Sequence, residues 1–95
     1  MSERHATIAS RVGLHARPAA IFAEAAAELA EQHGLEVSIA PEGTPAEDAL
    51  DAASILSLMG LGAAHGDRVV LRAEGAGAEE TLDALVAILE TDHDA

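Results

Sequence analysis

The sequence predicts an α+β fold. It is an open-faced two-layer sandwich, a four-stranded antiparallel sheet with three helices on one face, in the order β-α-β-β-α-β-α. Three observations lead there. Two windows, starting at Ala16 and Ala78, repeat apolar residues at helical spacing. The segments around them are short and alternate in polarity, so each strand has one apolar face to bury and one to leave to water. The 95 residues are enough for one small domain, residues 1–95, with a modest core.

Arg4 to Ser10 alternates, with Ala6 and Ile8 on one face and His5 and Thr7 on the other, and reads as the first strand. From Ala16 to about Gln32, Phe22, Ala25, Ala26 and Leu29 form one helical face while Glu24, Glu28 and Glu31 line a solvated one. Gly34 is placed to stop that helix. Glu36 to Ala40 is a short strand with Val37 and Ile39 on one side, and the segment from Pro41 to Pro45 is turn chemistry. A brief extended piece around Asp48 to Leu50 pairs back. Ser54 to Met59, closed by Gly60 and Gly62, reads as a helix of one or two turns. Asp67 to Ala73 alternates Val69 and Leu71 against Arg68, Val70 and Arg72. After the turn at Gly75 and Gly77, the window from Ala78 to about Glu90 carries Leu82, Leu85, Val86 and Leu89 at i, i+3, i+4 and i+7. Its first turn holds Glu79 and Glu80, where the helix dipole favours anions. Asp92 to Ala95 reads as a frayed tail.

The composition excludes several classes of function. The formal net charge is −12, and all five cations are arginines, so a broad basic surface for nucleic acid or an anionic membrane is not available. The acidity reads as a solubilising surface, as in a salt-tolerant or high-GC host. The distribution is uneven: Arg4, Arg11 and Arg17 make the first seventeen residues locally basic. No apolar run is long enough to span a membrane and the N-terminus has no signal-type apolar stretch, so the expected location is the cytoplasm. With no cysteine there is no disulfide, thiolate nucleophile or Cys-based zinc site. The other histidines, His5, His33, His65 and His93, read as solvated, and no pair of them has the spacing of a helical metal site.

The chemistry concentrates at Gly13-Leu14-His15-Ala16-Arg17-Pro18, where a loop becomes a helix. Pro18 costs nothing in a first helical turn, where the missing N–H would be unbonded anyway. His15 then sits at or near the N-cap, facing free backbone N–H groups and the positive end of the helix dipole, an arrangement that binds phosphate. Arg17 adds a fork of donors suited to phosphate oxygens, against a bias of pre-proline residues away from helical geometry. Gly13 lets the chain turn or pack closely before the histidine. A histidine that accepts a phosphoryl group needs a neutral ring with one nitrogen unprotonated. Phosphoryl transfer otherwise asks mainly for positioning and charge stabilisation, which backbone N–H groups at Ala16 and Arg17 and the guanidinium would supply. The residues taken alone leave a second reading open, in which His15 merely starts a helix.

The segment Gly13-Leu14-His15-Ala16-Arg17-Pro18-Ala19 resembles the active-site motif of the HPr family, the histidine-containing phosphocarrier proteins of the phosphoenolpyruvate-dependent sugar phosphotransferase system. Ala53-Ser54-Ile55-Leu56-Ser57-Leu58-Met59-Gly60-Leu61-Gly62 resembles the short second helix of that family. The two segments have the right order and separation, and the resemblance covers nearly the whole chain. It implies a carrier rather than an enzyme. Enzyme I, charged by phosphoenolpyruvate, would phosphorylate His15 at Nδ1, and the phosphoryl group would pass to the IIA domains of sugar-specific enzyme II proteins. His15 and Arg17 match the functional pair, and Ile55, Leu56 and Met59 match the docking patch. Ser54 matches a serine that an HPr kinase/phosphorylase modifies in some members. The resemblance implies no metal, no cofactor, no nucleic acid, no membrane contact and a monomer.

Two departures stand out. Val12 replaces a polar residue that bonds near the active-site turn in many relatives, so what holds the loop is open. Ala53 replaces a basic residue that precedes the regulatory serine in many kinase-regulated members, and Ser54 reads first as the N-cap of the short helix. Ile55, Leu56 and Met59 could also be core, and at least one of them is expected there. Two further readings remain. One is a paralogous carrier serving a nitrogen-regulatory or dihydroxyacetone-kinase phosphorelay. The other is an acidic interaction module that transfers nothing.

Overall fold

The computed structural model describes residues 1–91. The elements are β1 Ser2–Thr7, α1 Ala16–His33, β2 Val37–Pro41, a 3-10 turn Ala46–Asp48, β3 Leu50–Asp51, α2 Ile55–Gly60, β4 Arg68–Ala73 and α3 Ala78–Leu89. The four strands form one sheet in the order β1-β4-β2-β3, every neighbouring pair antiparallel. The fold class expected from the sequence is therefore the one observed. The tail from Asp92 onward, including His93, lies outside the described residues.

The element boundaries follow local chemistry. β1 begins earlier than its alternation suggests and ends at Thr7, because Ile8 pairs instead with the turn before β4, donating to the Asp67 carbonyl and accepting from Gly66 N–H. α1 stops at Gly34, whose φ of 66° takes the chain left-handed. Gly34 and Leu35 donate back to the carbonyls of Glu31 and Ala30, a Schellman closure with Leu35 buried beneath it. The extended piece expected around Asp48 is displaced, since Asp48 belongs to the 3-10 turn that starts after Pro45, and the pairing residues are Leu50 and Asp51.

The core lies between the helices and one face of the sheet. Phe22 from α1, Ile39 and Leu71 from β2 and β4, Leu58 from α2, and Leu82 and Leu85 from α3 are all fully buried. Each such side chain contributes about 1.5–3 kcal/mol relative to exposure. Alanine supplies the close approach: Ala19, Ala23 and Ala26 on α1 are buried without the bulk that would push the helix off the sheet.

The opposite sheet face is not simply left to water. His5, Val70 and Ala40 form one row across β1, β4 and β2, and both Val70 and Ala40 are buried. Charged side chains cover them. Arg72 donates to Glu3 at 2.9 Å and to the Thr44 carbonyl, and Arg68 donates to Glu42 at 2.8 Å. His5 stands between the two carboxylates, its ring nitrogens 3.5 Å from Glu3 and 3.0 Å from Glu42. His5 is thus part of a charged lattice, correcting its reading as a merely solvated residue. Arg4 alternates to the other face, opposite Leu71, and reaches α3, 2.9 Å from Asp83 and 3.2 Å from Glu79.

The lattice gives the fold an acid-sensitive component. Hydrogen bonding from Arg72, followed by its charge and that of His5, holds the Glu3 carboxyl below its ordinary value. Arg68 does the same first for Glu42, with His5 again adding. A carboxyl whose folded value is depressed contributes stability that is present above its unfolded value and lost as pH falls through the folded one. Urea unfolding midpoints should therefore fall as the pH drops below about 4.5, and the Glu3→Gln/Glu42→Gln variant should show a flatter acid limb. An unchanged acid limb in that variant would remove these two groups from the account.

Candidate functional site

The site is built from two loops and one helix end. His15 is the N-cap of α1, with extended backbone (φ −97°, ψ −175°) and no side-chain capping bond of its own. Its carbonyl accepts the first helical hydrogen bond, from Ala19 N–H at 2.8 Å. Pro18 is the third residue of the helix and has no N–H, so the backbone donors left open at this end belong to Ala16 and Arg17. His15, Ala16 and Arg17 are exposed, and neither the His15 ring nor the Arg17 guanidinium has a hydrogen-bond or ion-pair partner among the described residues.

What holds this open end in place is backbone, which resolves the question raised by Val12. Gly13 N–H donates to the Ser10 carbonyl and Leu14 N–H to the Ala63 carbonyl, both at 3.0 Å. Leu14 itself is buried, so its side chain anchors the residue next to His15 in the core. Val12 is 54% exposed and takes no part in closing the turn. Gly13 has φ 72°, and a Cβ there would stand 2.5 Å from the Ala63 carbonyl oxygen. The glycine expected to turn or pack closely does both. The receiving loop is itself fixed: Ala64 N–H donates to Asp67 Oδ2, and Gly66 and Asp67 exchange backbone bonds with Ile8.

α2 runs beside the site. Ser54 is its N-cap, with Oγ accepting from Ser57 N–H at 3.3 Å. The expectation that Ile55, Leu56 or Met59 would supply core is corrected. All three are exposed, at 42%, 85% and 40%, and the residue that enters the core is Leu58. A helix of six residues has room to bury about one side chain on its inner face, and the remaining apolar positions are left outward. α1 packs against α2, and the Leu14–Ala63 bond brings the loop that follows α2 to the residue before His15.

The basic character expected of the first seventeen residues contracts on folding. Arg4 is paired with α3, and Arg11 and Arg17 flank His15 in sequence. His33 is exposed at the end of α1, with its ring packed on Gly77, and His65 is exposed in the loop after α2. Among the described residues no group of three His, Asp or Glu side chains could hold a metal ion, and no helix is long and apolar enough to cross a membrane.

The family model described as "PTS HPr component phosphorylation site" matches residues 2–91. The chain belongs to the HPr family. The phosphocarrier protein HPr of Streptomyces coelicolor is 44% identical to it over 64 residues, which is 66% of this chain and 60% of that relative's length. The chain thus aligns with less than two thirds of that curated relative. The crystal structure of HPr from Bacillus anthracis superposes with a TM-score of 0.76 at 30% identity, covering 93% of this chain and 95% of the other. The crystal structure of HPr-C-His from Thermoanaerobacter tengcongensis gives 0.75 at 34% identity, covering 95% and 92%. Sequence reasoning reached this family through the His15 and Ser54 segments. It missed the carbonyl of Ala63, because a backbone acceptor carries no residue-type signal.

The contact at Gly13 makes a specific prediction. Gly13→Ala should lose about 1–3 kcal/mol from positive φ and about 1–3 kcal/mol more from collision with the Ala63 carbonyl. Gly43→Ala, at φ 91° with nothing within 4 Å of the added Cβ, carries the conformational part alone. Thermal unfolding of the two variants separates them, with Gly13→Ala expected to lie at least about 4 °C below Gly43→Ala.

Proposed function

We propose that this chain is a phosphocarrier. It accepts a phosphoryl group on His15 Nδ1 from phosphorylated enzyme I and passes it to IIA domains of sugar permeases, in the cytoplasm and as a monomer. The observation that carries the reading is the exposed His15 at the α1 N-terminus, with the open N–H groups of Ala16 and Arg17 and, two residues on, an exposed guanidinium with no partner among the described residues. The family's membership in the phosphotransferase system supports the same partners.

The chemistry needs little from the protein beyond this. The ring nitrogen lone pair forms the N–P bond as the bond from phosphorus to the donor breaks, and the donor keeps that electron pair. The charge on the phosphoryl oxygens meets the helix end and Arg17, so the phosphorylated state is held by groups already in position. Exposure of the ring lets donor and acceptor reach it in turn. The apolar surface of Ile55, Leu56 and Met59 gives both partners a docking centre. Ser54 acts as a cap. A phosphate on it would place about two negative charges at the edge of that centre, so modification there would oppose docking.

Intact mass after incubation with enzyme I and phosphoenolpyruvate should rise by one acid-labile phosphate. The His15→Ala variant should gain none, and phosphate arriving on it at the wild-type rate would end the assignment. Arg17→Ala should fold normally and transfer about ten- to a hundredfold more slowly, the loss of one charge-assisted contact of roughly 1.5–3 kcal/mol. Leu56→Glu should raise the KM for enzyme I while leaving the melting temperature nearly unchanged. A matching loss of stability would return Leu56 to a structural role.

A further inference from the structure

The docking face carries a charge pattern that specifies its partner. Three of the five arginines are held in ion pairs away from it: Arg4 with Asp83 and Glu79, Arg68 with Glu42, and Arg72 with Glu3. Next to the apolar centre the exposed ionic groups are otherwise mainly carboxylates. Ala26, Ala27 and Ala30 of α1 share a cleft with Leu50, Asp51 and Ala53, so the Ala27 side of α1 is the one turned toward the start of α2. Pro18 lines a small pocket with Ile88 and Leu89, so the opposite side of α1 faces α3. Glu24 precedes Ala27 by one helical turn and so shares its side of α1; it is exposed and has no ion-pair partner among the described residues. Glu24 lies about 10 Å along the helix from Arg17. Asp51, whose Oδ1 caps Ala53 N–H, stands four residues before Ile55 at the other edge.

Resting on the carrier reading above, we infer that the partner surface for this face is an apolar bed rimmed by lysine and arginine, opposite Glu24 and Asp51. The one local exception is the partner's own phosphoryl group, which meets Arg17. A partner with an acidic rim would set like charges opposite each other as the apolar centre closed, and would be repelled at longer range by a chain of net charge −12. A basic rim gains in both respects. This face therefore selects partners by charge as well as by the histidine, and distinguishes this carrier's enzyme I and IIA domains from those whose docking surfaces are acidic.

The test compares two variants with the same change in net charge, Glu24→Lys on the docking face and Glu80→Lys on α3, each checked for an unchanged melting temperature. Phosphate transfer from the phosphorylated enzyme I of the same host is followed at low and high ionic strength. Glu24→Lys should raise KM roughly five- to tenfold at low salt, Glu80→Lys much less, and added salt should erase most of the difference. A KM for Glu24→Lys equal to or below that of the wild type, or equal to that of Glu80→Lys, would overturn the basic-rim assignment while the intact-mass end point still showed a phosphorylated His15. A wild-type chain that gained no phosphate at all would instead fail at the carrier reading, and this inference would fall with it.

Discussion

Leu14 N–H donating to the Ala63 carbonyl, with Gly13 pressed against the same peptide, is the contact on which the site depends. An exposed histidine at a helix end has nothing of its own to fix it. Its position comes from the residue before it, which is anchored by a buried side chain and by a backbone bond to the loop after α2. Because that bond joins two loops, it also sets where α2 stands relative to α1. The ring and the exposed apolar surface of α2 are thereby positioned by one constraint. A glycine is required at 13 because no other residue takes φ 72° without strain and leaves room for the carbonyl.

Charge is segregated by the fold. The arginines of β1 and β4 are engaged by carboxylates on the sheet face or on α3, with Val70 and Ala40 buried under the charged lattice. These ion pairs are partly exposed, and each one alone is worth little. Their larger effect is positional: they neutralise the strand arginines where they stand, Arg68 and Arg72 on the open sheet face and Arg4 against α3. An acidic protein can in this way keep an exposed arginine and open backbone N–H groups at one helix end without a broadly basic surface.

α2 shows how little of a short apolar element can be buried. Six residues and a serine cap fix the helix through one core side chain, Leu58. The apolar residues around it are too many for that single inner position. Their exposure would cost solubility on a neutral protein, and the surrounding carboxylates offset this cost.

Much of this was legible in the sequence. The two amphipathic windows and the alternating segments determined the fold class, because 3.6-residue and two-residue periodicities each place one apolar face against a core. Pro18 three residues after His15 marked the helix start, Gly34 its end, and Ser54 the start of the short helix, since each acts through its own backbone or side chain on the nearest few residues. Other features were decided only by tertiary structure. Ile55, Leu56, Leu58 and Met59 are all apolar and adjacent, and only the docking of α2 on α1 selects Leu58 for burial. His5 joins Glu3 and Glu42 because strands distant in sequence are neighbours in the sheet. Val12 can be apolar because Ser10 and Ala63, the latter some fifty residues further along the chain, supply carbonyls that any residue type would have supplied. Side-chain chemistry is written in the sequence, but a backbone acceptor is the same at every position, and only the path of the chain brings it to the loop that needs it.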